Sequence, residues 1–216
     1  MITIEHVFWD WNGTLLDDAW FCCDVMNRML AKRGMPEMSM DRYQEIFDFP
    51  IVDYYKRIGF DFEKETFEKL GLEFIDGYEI RRGESHLFED VIPALDRVRE
   101  SGLGQSILSA YKHDTLVRLV KEHGLDAYFH DLHGHQHIYP VGKAPQGKEA
   151  LDDLGIDPAK TVLIGDTVHD AEVAEELGMQ CVIIPGGNHP EAKLRALGVP
   201  VVESRMEALR SLGILA

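Results

Sequence analysis

Short runs of β-branched and aromatic residues punctuate the chain: ITIEHVFW near the start, then GQSILS after a long gap, then TVLIG, QCVIIP and VPVVES. Each is followed by a segment whose apolar positions recur at helical spacing. Strands alternating with helices predict an α/β fold built on a parallel sheet. The pattern is clearest where TVLIGD leads into HDAEVAEELG, in which Ala171, Ala174 and Leu177 lie on one helical face ahead of Gly178.

Between Asp18 and about Ser85 the strand rhythm stops. DAWFCCDVMNRMLAKRG, SMDRYQEIF, IVDYYKRIG and KETFEKLGLEFIDGYEIRR read as consecutive amphipathic helices with Gly and Pro at their joints. The expected organisation is a Rossmann-like core made of residues 1–17 and 86–216, interrupted by an all-helical cap over 18–85.

Composition narrows the class. With 216 residues, 45% of them hydrophobic, the chain can bury the core of one domain plus a small insert. No apolar run approaches the roughly 20 residues that cross a bilayer, and MITIEHVFWDW lacks a basic, apolar leader pattern, so a cytoplasmic protein without a membrane partner is expected. Cys22, Cys23 and Cys181 form no disulfide or metal framework and read as buried thiols. A formal charge of −16 without a basic block argues against nucleic acid. An anionic ligand would have to be drawn in by a local cation.

Ligands of open parallel sheets bind beyond the carboxyl ends of the strands. The polar residues of interest fall at those ends. Asp10 follows VFW, Ser109 follows QSIL, Asp166 follows TVLIG, and Asp170 comes four residues later. Lys143 lies in VGKAPQGK, just before the helix leading to TVLIG. Such a cluster of carboxylates is costly unless a cation neutralises it, and a hard divalent ion with oxygen ligands, Mg²⁺ by preference, would do so. Lys148 competes with Lys143 for the inward position, but its place in the first turn of a helix favours solvent.

Taken in order, D10-W-N-G-T14, Ser109, Lys143 and G165-D166-T-V-H-D170 resemble the four motifs of the haloacid dehalogenase superfamily. The helical segment after the first motif is similar to the cap of its phosphoglycolate phosphatase and β-phosphoglucomutase branch. The resemblance implies a Mg²⁺-dependent phosphatase in which Asp10 is the nucleophile and an aspartyl phosphate forms. It also implies catalytic roles for Asn12, Thr14 and Lys143, and substrate binding by Ser109, Ala110 and Lys143. Metal binding would fall to Asp10, Asn12 through its backbone carbonyl, Asp166 and Asp170. The expected partner is a small phosphorylated metabolite, and the expected assembly a monomer or homodimer.

One position departs from the pattern. The family's phosphatases usually carry Asp where this chain has Asn12, and that Asp protonates the leaving group and later activates water. An amide does neither, which forfeits a factor of about 10² to 10⁴ unless another group replaces it. The alternatives are a substrate with a good leaving group, such as an acyl or aryl phosphate, or a proton supplied by Asp17, Asp18 or a cap residue. A degenerate protein that binds a phosphorylated ligand with little turnover is a further reading. Phosphonatase and haloacid dehalogenase readings rank lower, because no cap lysine sits in a signature and the retained Asp166 and Asp170 would be a repulsive liability without a metal.

Weaker signals have plainer expectations. The histidines of H130-D-L-H133-G-H135-Q-H137 are expected in a polar loop rather than at a zinc site, and His169 on a helix turn facing solvent. The pairs Lys56-Arg57 and Arg81-Arg82 are candidates for substrate contact but read as solvated helix faces. Phe47, Phe49, Tyr54 and Tyr55 read as packing residues.

Overall fold

The structure is a computed structural model and describes residues 3–136 and 142–215. In chain order its strands are β1 (His6–Trp9), β2 (Leu16–Asp17), β3 (His86–Leu87), β4 (Gly104–Lys112), β5 (Leu132–His135), β6 (Thr161–Gly165) and β7 (Gln180–Ile183). Five of them form a parallel sheet in the order β5-β4-β1-β6-β7. β1 lies at the centre, with His6 opposite both Gly104 and Thr161 and Trp9 opposite both Ile107 and Ile164.

The two-residue repeat of each strand sorts its side chains between two cores. Val7, Trp9, Ile107, Val162, Ile164 and Val182 pack on one face with helices α5 (Val91–Glu100) and α6 (His113–Glu122) and with α10 (Arg205–Ser211). Phe8, Leu108, Leu163, Cys181 and Ile183 pack on the other with α7 (Ala144–Leu154), α8 (Val168–Leu177) and α9 (Glu191–Leu194). Strands buried on both faces explain the near-continuous apolar runs in the sequence.

Four helices, α1 (Ala19–Ala31), α2 (Met40–Ile46), α3 (Ile51–Ile58) and α4 (Phe67–Arg81), intervene between β2 and β3. Local signals set their limits: Ser39 accepts from Arg42 N and Thr66 from Lys69 N as N-caps, and Gly59 ends α3 in a left-handed conformation. These helices bury their own core, including Met26, Met29, Tyr43, Tyr54 and Leu70. The chain leaves and re-enters the sheet domain side by side, because β2 and β3 pair antiparallel with Asp17 opposite His86.

Two sheet expectations need correction. VPVVES is not a strand: Val201 makes a single bridge with Ile183, because Pro200 has no N–H to extend the ladder and Ser204 already caps α10. Conversely, the histidine-rich segment contains β5, an edge strand paired with β4. Pairing on offer from β4 overrides the weak strand propensity of LHGH.

Candidate active site

Asp10 leaves the end of β1 with its N–H donating to Ile164 O at 2.9 Å. The chain then folds back sharply, Trp11 O accepting from Leu15 N and Leu16 N, each at 2.9 Å. Gly13 has φ +76°, and a Cβ there would come within 2.3 Å of Asp166 Oδ2. Only glycine combines that conformation with so close an approach. Thr14 is fully buried and its hydroxyl donates to Asp166 Oδ1 at 3.3 Å.

Asp166 follows β6 and is fully buried, accepting from Asn188 N at 2.6 Å and Asn188 Nδ2 at 3.1 Å. Four residues on, Asp170 forms a reciprocal cap with Thr167 at the start of α8, and its carboxylate accepts from the Thr167 hydroxyl at 2.6 Å. Lys143, the N-cap of α7, is buried between these groups. Its ammonium donates to Asp10 Oδ1 at 2.6 Å and Leu108 O at 3.1 Å and forms an ion pair with Asp170. Lys148 is exposed and pairs with Asp152 at 2.6 Å. Ser109, also buried, accepts from Tyr111 N at 3.1 Å; a register shift after Leu108 bends β4, which continues past Ser109 to Lys112.

Carboxylate oxygens of Asp10, Asp166 and Asp170 all lie within 4.8 Å of one another. Burial pushes the carboxyl groups of Asp10 and Asp166 above the ordinary range, and the neighbouring carboxylates push Asp166 further. Burial acts upward on Asp170 too, but the Lys143 ammonium outweighs it and holds that carboxylate low. Among the described residues, three buried carboxyl groups have one buried ammonium between them. A hard cation with oxygen ligands fits that donor set.

Asn12 is held by Asp18, one of the alternative proton sources named from the sequence. Its Nδ2 donates to Asp18 Oδ2 at 2.6 Å, Tyr78 OH donates to the same oxygen at 2.6 Å, and Gly13 N donates to Asp18 Oδ1 at 2.9 Å. Asp18 is fully buried without an ion pair among the described residues, and burial raises its carboxyl above the usual range. Asn188 and Tyr78 were invisible to sequence reasoning: Tyr78 reaches Asn12 from 66 residues away along the chain, and Asn188 reaches Asp166 from 22 residues away.

A cavity of about 520 Å³ connects these groups with the helical insert. Asp10, Asn12, Ser109, Ala110, Lys143 and Asp166 lie at one end. Phe47, Phe49, Tyr54 and Tyr55 line it, and Phe47, Tyr54 and Tyr55 pack in the core of the insert as well. His169 also departs from expectation: it packs on Phe49 with ring centroids 4.7 Å apart and accepts from Lys143 N at 3.3 Å instead of facing solvent. The basic pairs do not reach the cavity. Lys56 pairs with Asp53, Arg57 with Asp48, Arg81 with Glu84, and Arg82 with Glu79 and Glu122. His133 and His135 sit on β5 outside the carboxylate cluster, and His137 lies outside the described residues.

The profile of the haloacid dehalogenase-like hydrolase family matches residues 7–184, and the chain belongs to that family. A phosphoglycolate phosphatase from Thiobacillus denitrificans is 25% identical over 221 residues, covering 96% of this chain and 92% of that protein. An N-acetylmuramic acid 6-phosphate phosphatase from Pseudomonas putida is 25% identical over 211 residues, covering 96% and 95%. A haloacid dehalogenase-like family hydrolase from Streptococcus pneumoniae superposes with a TM-score of 0.85 at 20% identity, covering 98% and 99%. No helix among the described residues is long and apolar enough to cross a membrane.

Proposed function

We propose that this protein is a Mg²⁺-dependent phosphatase that hydrolyses a small phosphorylated metabolite through an aspartyl phosphate on Asp10. The observation that carries this reading is the buried contact of Lys143 with both Asp10 and Asp170, beside Asp166, at the end of the central strand and the mouth of a cavity. The phosphatase names of its relatives support it. In this reading residues 1–17 and 86–216 are the catalytic core and 18–85 the cap.

Asp10 attacks phosphorus, the ester oxygen leaves with its electron pair, and water then displaces the carboxylate, so one difficult hydrolysis becomes two displacements. Lys143 sits against the nucleophile and is placed to neutralise phosphoryl oxygens, while the Ser109 hydroxyl and the Ala110 backbone orient them. Asp10, Asp166, Asp170 and the backbone carbonyl of Asn12 would hold Mg²⁺. The bound ion would supply charge neutralisation during phosphoryl transfer. Thr14 and Asn188 position Asp166 through hydrogen bonds.

Phosphate release from a panel of phosphate esters, acetyl phosphate and haloacids, with and without Mg²⁺, tests the reading. Metal-dependent phosphate release that vanishes in Asp10→Asn is expected. A second reading, ligand binding with little turnover, draws on Asn12, whose amide is committed to Asp18. Tight phosphate binding without release from any ester would favour it.

A further inference from the structure

The cavity has two kinds of lining. Besides the carboxylate cluster its walls include Phe49, Ile51, Phe74 and Ile75, all contributed by the helical insert or its joints. Among the described lining residues the cations are Lys143, already engaged by two carboxylates, and Lys112, which is exposed. Glu79 adds an anion, held by the Tyr111 hydroxyl and by Arg82 and Arg118. A second anionic group on the substrate, such as the carboxylate of phosphoglycolate, would meet no buried counter-charge from the other described lining residues. Burying it unpaired would cost affinity. A volume of about 520 Å³ is also that of a site for a molecule much larger than a two-carbon acid.

A separate observation bears on the leaving group. Asn12 cannot protonate a departing oxygen, and its amide is already donating to Asp18. Phenols ionise near pH 10, as tyrosine does, whereas an alkanol, close to water in acidity, ionises only far above that. A phenolate therefore departs without the proton an alkoxide needs. Tyr54 lines the same cavity, and its hydroxyl is closed off from it, so it presents ring rather than a polar atom.

From the apolar cavity and the amide at position 12 together, we infer that the substrate class is an aryl phosphate monoester whose ring lies among the aromatic and aliphatic residues of the insert. This rests on the phosphatase reading above. Asp10 attacks phosphorus, the bond from phosphorus to the aryl oxygen breaks, and the phenolate takes its proton from solvent. Water then attacks the aspartyl phosphate, its oxygen going to phosphate and its proton to phosphate or solvent, and Asp10 is regenerated. The net change is aryl phosphate plus water to phenol plus inorganic phosphate.

The test compares 2-naphthyl phosphate, cyclohexyl phosphate, phosphoglycolate and acetyl phosphate, each with Mg²⁺, on the wild-type chain and on Ile75→Ala and Ile75→Arg. Expected is a kcat/KM for 2-naphthyl phosphate at least about 10²-fold above that for cyclohexyl phosphate, the low end of what a missing acid costs, with phosphoglycolate lower still. Ile75→Arg should raise KM for the naphthyl ester more than Ile75→Ala, and thermal unfolding of each variant shows whether it is folded. Phosphate release with phosphoglycolate or cyclohexyl phosphate matching the naphthyl ester overturns the substrate class and leaves the phosphatase reading standing. No metal-dependent release from any compound, acetyl phosphate included, overturns both.

Discussion

Asn12 Nδ2 lies 2.6 Å from Asp18 Oδ2, so the side chain occupying the family's usual acid position is instead a donor to a buried carboxylate. Tyr78, from the insert, donates to the same oxygen. The loop after β1 and the last helix of the insert thus meet on one carboxyl group at the start of the insert.

Simply restoring the acid should therefore fail. Asn12→Asp would set two carboxyl groups at hydrogen-bond distance in a buried place, where they coexist only by sharing a proton. A pair with a raised folded-state pKa is tolerated at low pH and loses stability as pH rises through that value. The melting temperature of Asn12→Asp should thus fall further below wild type at pH 8 than at pH 5. The exchange Asn12→Asp with Asp18→Asn should recover most of the loss and raise turnover of alkyl phosphates by up to about 10² to 10⁴. Intact mass must accompany the assay, because the Asn12-Gly13 dipeptide is prone to deamidation. Equal pH dependence of wild type and single variant would refute the shared carboxyl site.

Lys143 and Lys148 offer a direct contrast. Removing the buried ammonium strips the only contact that neutralises Asp10 and Asp170 among the described residues. Lys143→Ala should lower kcat by at least about 10²-fold, as loss of one transition-state donor does, and destabilise the metal-free protein by about 3–5 kcal/mol. Lys148→Ala removes one exposed ion pair, worth about 0.2–1 kcal/mol at most, and should leave activity within twofold. Parallel kinetics and denaturant unfolding measure both.

Metal removal should abolish turnover and also lower stability. Asp10 and Asp166 have raised pKa values in the metal-free fold, so that form loses stability as pH rises from the unfolded carboxylate range through the folded values. Mg²⁺ should raise the melting temperature at pH 7.5, by an amount that grows with the logarithm of its concentration. Asp166→Asn should need more Mg²⁺ for the same rise. A melting temperature indifferent to Mg²⁺ would count against the site.

Two buried histidines should set the acid limit of stability. Burial lowers His6 to about 4, where its Nε2 lies 3.0 Å from the Ser106 hydroxyl. Burial, aided by Lys193, lowers His189 to about 4 as well. Val168 N donates to His189 Nδ1 at 2.9 Å, so the neutral ring carries its proton on Nε2, facing Phe47 O at 2.8 Å. The unfolded chain takes up protons below pH 6.5 while the folded chain resists until about 4. The contribution of these two histidines to stability is thus fully present above 6.5 and is lost as pH falls from 6.5 to 4. His6→Gln should show a shallower loss across that window in urea titrations at several pH values.

How much of this was legible in the chain differs by residue. Asp10, Lys143, Asp166 and Asp170 could be singled out because each follows a strand or opens a helix, and in a parallel sheet those positions fall on one edge whatever the details of packing. The four insert helices were equally plain, since capping and helical periodicity are local properties. β5 was not, because an edge strand of LHGH forms only when β4 offers it a ladder. Nor could the sequence say that Asp18 would hold Asn12, that His169 would turn inward onto Phe49, or that Arg57 and Arg81 would be spent on nearby carboxylates. Those outcomes depend on which side chains from separate segments arrive within about 3–4 Å of each other, a distance scale set by hydrogen bonding and close packing. Local pattern determined the elements and the edge on which the chemistry sits; only the docking of the insert onto that edge decided which groups face one another.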